Sequence, residues 1–453
     1  MLTVIAFLTA IAILVTVHEW GHYRMAVACG VKVLQFSVGF GPEAYSWVSG
    51  RSGTRYTIAV LPLGGFVKML DEREGPVDAA DLHRAFNRKP LIARSAIVAA
   101  GPIANLVLAI LLYALVNWTG VVEAKAQLSA PAAESVAATA GFRGGEIVES
   151  AGFDEASLRD VASYEDFRWW LTRAALDAKD LVVQYRSGQD GPSRTAVLKL
   201  SGFHAEQADE GMFRRIGFTG PYSRPVLGNL LPDSAAVEAR LAPGDVILRV
   251  DGKPVVDAAQ VREWIRQSGA VDKPRVQDWL IDRNGVALNI AVTPRQVQEG
   301  NATIGRVGAI IGAQPEMVDV RYGLWEGFSR AAYRTWDASV LTVRMMGQIL
   351  TGQASLKNLS GPITIADYAG RSAAIGLTQY IVFLALVSIS LGVLNLLPLP
   401  MLDGGHLMYY LWEGVTGRAI SDAWMARLQR TGLAVLLLMM SIALFNDLHR
   451  LLS

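Results

Sequence analysis

The sequence predicts a multi-span α-helical membrane protein with four transmembrane helices, interrupted between the second and third by a long polar region of α+β character. Three observations carry that prediction. Residues 1–17, 95–122, 372–402 and 431–446 contain no Asp, Glu, Lys or Arg. Mean hydropathy over the 453 residues is +0.29, with 51% hydrophobic residues. Most of the polar sequence gathers in one internal block that repeats itself. A spanning helix needs about 20 mostly apolar residues, so the two middle stretches suffice alone and the outer two reach that length with their flanks.

Other classes fall away early. A net charge of +1 offers no concentrated basic face, so no nucleic-acid partner is expected. Cys29 is the single cysteine, which rules out an intrachain disulfide and a cysteine-built metal site.

Taken in order, residues 1–30 form the first span. It has no basic leading segment and runs straight into "HEWGH", His18 to His22, so it is expected to be retained instead of cleaved as a signal peptide. Residues 31–94 form a membrane-associated region in which "TRYTIAVLPLGGFVKM", Thr54 to Met69, reads as strands closed by Gly64-Gly65. Residues 95–122 form the second span, which contains Asn105 and the Gly101-Pro102 pair, the pair being an ordinary packing feature of a membrane helix.

Residues 123–220 and 221–310 are two related domains. "GFRGGEIVES" at Gly141 is echoed by "RLAPGDVILRV" at Arg240, and "SYEDFRWWL" at Ser163 by "AQVREWIRQ" at Ala259. Two copies about a hundred residues apart make a domain pair, since solenoid repeats are shorter and more numerous. In the second copy, alternating aliphatic residues turn at Asp251-Gly252, and a helix with Val261, Trp264 and Ile265 apolar follows. Residues 311–371 are an amphipathic linker, rich in Trp, Met and Arg, suited to a membrane face or to packing between domains. Residues 372–402 are the third span, 403–430 a loop and helix, and 431–448 the fourth span.

Orientation follows from basic residues near the span ends. Arg24, Lys32, Arg84, Arg88, Lys89 and Arg94 flank one side of spans one and two, and Arg418, Arg427 and Arg430 lie between spans three and four. Only Lys125, Arg371 and Arg450 lie near the other side. Both termini and the polar middle are therefore expected outside the cytoplasm, and HEWGH on the cytoplasmic side.

HEWGH carries the chemistry. His18 and His22 are four residues apart, so on a helix they share one face about 6 Å apart along the axis and can share a cation. Two imidazoles suit zinc, and three protein ligands with an open position make bound water acidic enough to attack a carbonyl. Glu19 is placed to take that proton and return it to the leaving nitrogen. Ionisable groups at membrane depth are costly, which favours function over packing.

A third ligand must come from elsewhere. His83 stands in a charged loop, whereas His204 and His449 fall on the opposite side from HEWGH. "NLLPLPMLDGGH", Asn395 to His406, ends the third span on the same side. Pro398 and Pro400 end regular helix there and Gly404-Gly405 permit a tight turn, so Asp403 is displayed on irregular backbone, tolerated at such depth only when buried in protein or lining a wet cavity. Asp403 and His406 both remain candidates on spacing, and helix capping is a further role open to Asp403.

"APGDVILRVDGKPV" and its following helix resemble the core of a PDZ domain, a fold that binds extended peptide ends by strand addition. HEWGH and the LDG of "NLLPLPMLDGGH", in the first and third of four spans with two PDZ-like repeats between, closely resemble the site-2 protease family of intramembrane zinc metalloproteases, nearest to its bacterial regulator of sigma-E protease group. The resemblance implies one zinc ion per chain held by His18, His22 and Asp403, with Glu19 as general base. It implies a β-hairpin sheet around Gly64 and Gly65 that holds an unfolded substrate segment, and Asn395 as donor to the substrate carbonyl. It also implies single-span membrane proteins as substrates, among them an anti-sigma factor trimmed by an earlier cut and remnant signal peptides. Peptide C-termini at the PDZ grooves and membrane lipid complete the expected partners. Ser390 stands where family members often carry a second Asn.

Overall fold

The computed structural model describes residues 1–50, 52–188, 191–203, 211–270, 275–299, 302–351 and 361–452. They form two compact units, one from residues 1–121 and 321–453 and the other from residues 122–320.

The first unit begins with helix α1 (Leu2–Ala28), which has no charged residue before Glu19. Strands β1 (Val33–Val48) and β2 (Arg55–Met69) follow, and both are bent. The Val33–Val38 half of β1 pairs with Gly65–Met69 on one side and with Arg55–Ile58 on the other, while Glu43–Val48 pairs back onto Arg55–Ala59. Gly65–Met69 is thus an edge of the sheet, with no further strand beside it among the described residues. Helix α2 (Leu91–Thr119) contains Pro102 within an unbroken run.

The chain enters the second unit along β3 (Val121–Ala124), and α3 (Val136–Thr139), β4 (Glu146–Gly152), β5 (Arg159–Asp160), α4 (Tyr164–Leu176), β6 (Leu181–Ser187), β7 (Ser193–Leu198) and α5 (Met212–Ile216) follow within it. Its second half contains β8 (Leu227–Leu230), α6 (Ala235–Glu238), β9 (Val246–Val250), β10 (Lys253–Pro254), α7 (Ala258–Gln267), β11 (Gln277–Arg283) and β12 (Val286–Val292). Strands β13 (Arg295–Glu299), β14 (Ala302–Arg306), β15 (Ala309–Ile311) and β16 (Met317–Val320) complete it.

The repeat seen in the sequence is a repeat of structure. The two four-stranded sheets have the orders β5-β4-β6-β7 and β10-β9-β11-β12, the same path in each copy. Ser135 caps α3 as Ser234 caps α6, and Ser163 caps α4 as Asp257 caps α7. Such caps satisfy helix N–H groups that have no partner within the helix. Each copy buries its own core: Phe167, Leu171, Leu181, Leu198 and Phe218 in the first, and Ile247, Val261, Ile265, Trp279 and Ile281 in the second. Fully burying each such side chain contributes about 1.5–3 kcal/mol. The copies differ at the turn after the first long strand, where the second uses Asp251 and Gly252, both at positive φ, and the first inserts a short 3-10 turn capped by Asp154.

The chain returns to the first unit through α8 (Leu324–Leu350), which packs along α2; Trp118 Nε1 donates to Leu324 O and Asn117 Nδ2 to Gly327 O. Trp325 and Trp336 remain exposed on its outer side. Helices α9 (Pro362–Ile375), α10 (Leu377–Leu396), α11 (Asp403–Thr416) and α12 (Asp422–Leu452) follow. The helix within the expected span 372–402 is shorter than the uncharged stretch, because Gly376, at φ 149°, separates it from α9 and the Pro398-Pro400 segment ends it. Asp447 on α12 accepts hydrogen bonds from the Gly361, Ile363 and Thr364 N–H groups, closing the start of α9 with a buried carboxylate.

Among the described residues, four helices are long and apolar enough to cross a membrane: Leu2–Ala28, Leu91–Thr119, Leu377–Leu396 and Ala423–Leu448. Glycines set how closely they approach. A Cβ on Gly21 would lie 2.3 Å from Ala100 O, and one on Gly392 would lie 3.0 Å from Pro102 O. Small residues at such crossings let helices gain dispersion contacts that lipid could otherwise match.

Candidate metal centre

His18 and His22 stand one turn apart on the face of α1 that meets α2. Their rings lie edge to face with centroids 4.8 Å apart, and their Nε2 atoms are 3.2 Å apart. Asp403, in the first turn of α11, places Oδ2 3.1 Å from His18 Nε2 and 3.6 Å from His22 Nε2. Leu402 is the N-cap of α11 and Asp403 its first helical residue, so Asp403 does not occupy the capping position. Burial alone would raise its carboxyl, but the two imidazoles overcome this and hold it at about 2, leaving a carboxylate.

The turn that delivers Asp403 depends on its glycines. A Cβ on Gly404 would lie 2.1 Å from Leu397 O, and one on Gly405 would lie 2.3 Å from Leu399 O. The segment between the prolines folds back over the start of α11, and only hydrogen fits at these two positions.

The three donor atoms suit one small cation. Around a tetrahedral zinc with bonds of about 2.0–2.2 Å, ligand atoms sit about 3.3–3.6 Å from one another. The spacings here, from 3.1 to 3.6 Å, fall close to that. Among the described residues His18, His22 and Asp403 are the group of three so placed. His406 lies outside it, with its ring against Tyr409, and burial pushes its imidazole down toward the neutral form. His83 is exposed in a short 3-10 turn, and His204 lies outside the described residues.

Helix α2 supports both imidazoles from behind. His22 Nδ1 lies 2.9 Å from Ile97 O, an acceptor only, so Nδ1 carries the proton and Nε2 keeps its lone pair for a metal. His18 Nδ1 lies 3.2 Å from the amide of fully buried Asn105. Gly101, between them on α2, sits directly against the His22 ring, where a Cβ would come within 2.2 Å of Nε2. The sequence predicts packing for Gly101 and assigns no role to Asn105. The signal available was a buried amide four residues from a glycine in an otherwise apolar span, since polar groups there are expensive unless partnered.

Glu19, half-buried, has no hydrogen-bond partner among the described residues and faces a cavity of about 600 Å³ that is also lined by His22, Asp403, Arg73, Arg94 and Glu413. That charged lining suits a water-filled vestibule. Sheet β1-β2 reaches the same place: a Cβ on Gly65 would lie 3.3 Å from the Glu19 side chain and 2.6 Å from Ser37 O. The Phe40 ring covers Gly64, 2.0 Å from where its Cβ would be. The glycine pair thus carries the sheet edge past the acid with no side chain in the way. Asn395 is half-buried at the end of α10, makes no side-chain hydrogen bond among the described residues, and is not among the residues lining this cavity.

The model of peptidase family M50 matches residues 6–439 of the chain. A protein of Ralstonia nicotianae named as a zinc metalloprotease is 41% identical over 100% of this chain and 99% of its own length. The regulator of sigma-E protease of Escherichia coli is 38% identical over 98% of both chains, and a Salmonella typhi protein of the same name is 37% identical over 98% of both. With a family match across nearly its whole length and full-length relatives well above 30% identity, the chain belongs to peptidase family M50 and is a zinc metalloprotease.

Proposed function

We propose that the protein cuts single-span membrane proteins within or beside the bilayer, with His18, His22 and Asp403 holding zinc and Glu19 acting as general base. The observation that carries this reading is the convergence of three donor atoms within 3.6 Å on apolar helices, beside an uncommitted carboxylate at a polar cavity. Zinc held there supplies Lewis acidity, polarising the scissile carbonyl and acidifying water.

The protein's own groups do the rest. Glu19 takes the proton from the attacking water and returns it to the departing amine. The Gly65–Met69 edge offers backbone N–H and C=O groups to a substrate segment in extended form. A helix hides its carbonyls in its own hydrogen bonds, so pairing with a strand edge exposes the bond to be cut. Asn395, with its amide unused, is a donor for the substrate carbonyl once a segment lies along that edge.

The distribution of Lys and Arg supports a bacterial inner-membrane protein with the centre toward the cytoplasm and residues 123–310 in the periplasm. The two related domains there, PDZ-like in sequence, would engage peptide C-termini, and the exposed tryptophans of α8 would meet lipid. Two relatives are named for the regulation of sigma-E, which suits an anti-sigma factor as substrate; in this reading it is cut after an earlier protease has trimmed it, and remnant signal peptides are a second class.

The test uses the detergent-purified chain and a tagged single-span substrate. Cleavage is expected from the native protein and absent with Glu19→Gln or a chelator. Equal cleavage by native protein and Glu19→Gln would remove Glu19 from the reaction.

A further inference from the structure

Two imidazoles in this centre are oriented by one helix in two ways. His22 relies on a backbone carbonyl, Ile97 O, which any sequence would provide. His18 meets a side chain, Asn105, which is fully buried; its Nδ2 stands 3.2 Å from His18 Nδ1, and its Oδ1 has no hydrogen-bond partner among the described residues. Because His18 Nε2 faces Asp403 and His22, its Nδ1 is the atom turned to α2. A neutral imidazole that offers Nε2 to a cation carries its proton on Nδ1 and needs an acceptor there. The two ends of an amide exchange by a half-turn of the group, so Asn105 can present oxygen or nitrogen at this spot.

We propose that Asn105 is a positioning residue of the zinc site: its Oδ1 accepts the Nδ1 proton of His18, fixing the tautomer and ring angle that aim Nε2 at the metal. This rests on the assignment of His18, His22 and Asp403 as ligands. Asn105 is itself held in place from a third helix, since Ser388 Oγ of α10 donates to Asn105 O at 2.7 Å. A run of contacts thus joins α10 to α2 and α2 to His18, tying the aim of the ligand to the packing of three helices. The role needs an acceptor at this position and nothing more, so Asp should serve where Leu, of similar size, cannot.

The experiment is zinc affinity, by competition against a chromophoric chelator, on the full-length chain in detergent. The expected result is a fall of about 10–100-fold for Asn105→Leu, the usual effect of losing such an outer hydrogen bond. Asn105→Asp should stay within about threefold of native, taking that bond as the whole of the difference. Nitrogen-15 histidine NMR of the zinc-loaded native protein should show His18 protonated at Nδ1. Native affinity in Asn105→Leu would overturn the proposal, as would an Asp variant as weak as the Leu variant. If Asn105→Leu does not fold, the Asp variant and the NMR tautomer decide alone: an unprotonated Nδ1 overturns it. His18→Ala and Asp403→Ala separate this from the ligand assignment. Retention of full zinc by those two would sink the assignment, whereas zinc lost there but kept in Asn105→Leu would sink only the role of Asn105.

Discussion

Carboxylates in the two units stand in different surroundings. In the 122–320 unit Glu146 and Asp245 are answered by the protein itself, as Asp447 is in the helical unit. Glu146 accepts the N–H groups of Arg143 and Gly144, and its counterpart in the second copy, Asp245, accepts Ala242 N–H and a two-pronged pair from Arg283. In the helical unit, Asp403 faces two imidazoles at 3.1 and 3.6 Å, and no Lys or Arg pairs with it among the described residues. The first arrangement is closed: removing a partner costs stability and nothing else. The second converges lone pairs on one point, which is repulsive unless a proton or a cation sits there. Buried charge alone does not mark a function; what matters is whether the protein supplies the opposite charge.

That contrast can be broken at the centre first. His22→Ala should abolish zinc binding and proteolysis together, read by metal analysis and substrate cleavage. Glu19→Gln should keep zinc while cleavage drops by about 10²–10⁴-fold, the usual contribution of a general base. Gly101→Ala comes next. Its Cβ has no room beside His22 Nε2, so displacement of the ring should cost about 10²-fold in cleavage, as a shift of about 1 Å does elsewhere. Retained activity in that variant would mean that α1 and α2 are less closely set than they stand.

The closed pair gives smaller effects, of a different kind. Arg283→Gln should destabilise the second copy by about 1–3 kcal/mol through the stranded Asp245, measured by hydrogen exchange in 227–311, with zinc content unchanged. Burial raises the Asp245 carboxyl, but Arg283 and the Ala242 N–H bring it below the ordinary value. A depressed folded-state value means stability present above the unfolded value of about 3.9 and lost as pH falls below it. Acid sensitivity of the second copy should therefore begin near pH 4 and shrink in Arg283→Gln.

The sequence was most legible where spacing alone carries chemistry. The i, i+4 histidines, the prolines and glycines before His406, and the two copies of a G-[DE]-[IV]-[IV] strand each translate directly into backbone geometry. Spacing could not choose between Asp403 and His406, because three residues on a helix turn separate their directions only after the helix start is known. That start is Asp403 itself. The contacts of α2 with the imidazoles were harder to read for a related reason: Ile97 meets His22 through its carbonyl, which has no side-chain signature, and Asn105 meets a partner 87 residues away. The start of the third-span helix was similarly hidden, since Gly376 carries no charge and leaves the hydropathy profile smooth.

The most direct test of the account is the zinc content of the purified chain beside Asp403→Ala and His406→Ala. One zinc per native chain, lost from the Asp403 variant and kept by the His406 variant, is the predicted result. Zinc retained without Asp403, or lost with His406, would contradict the centre described here.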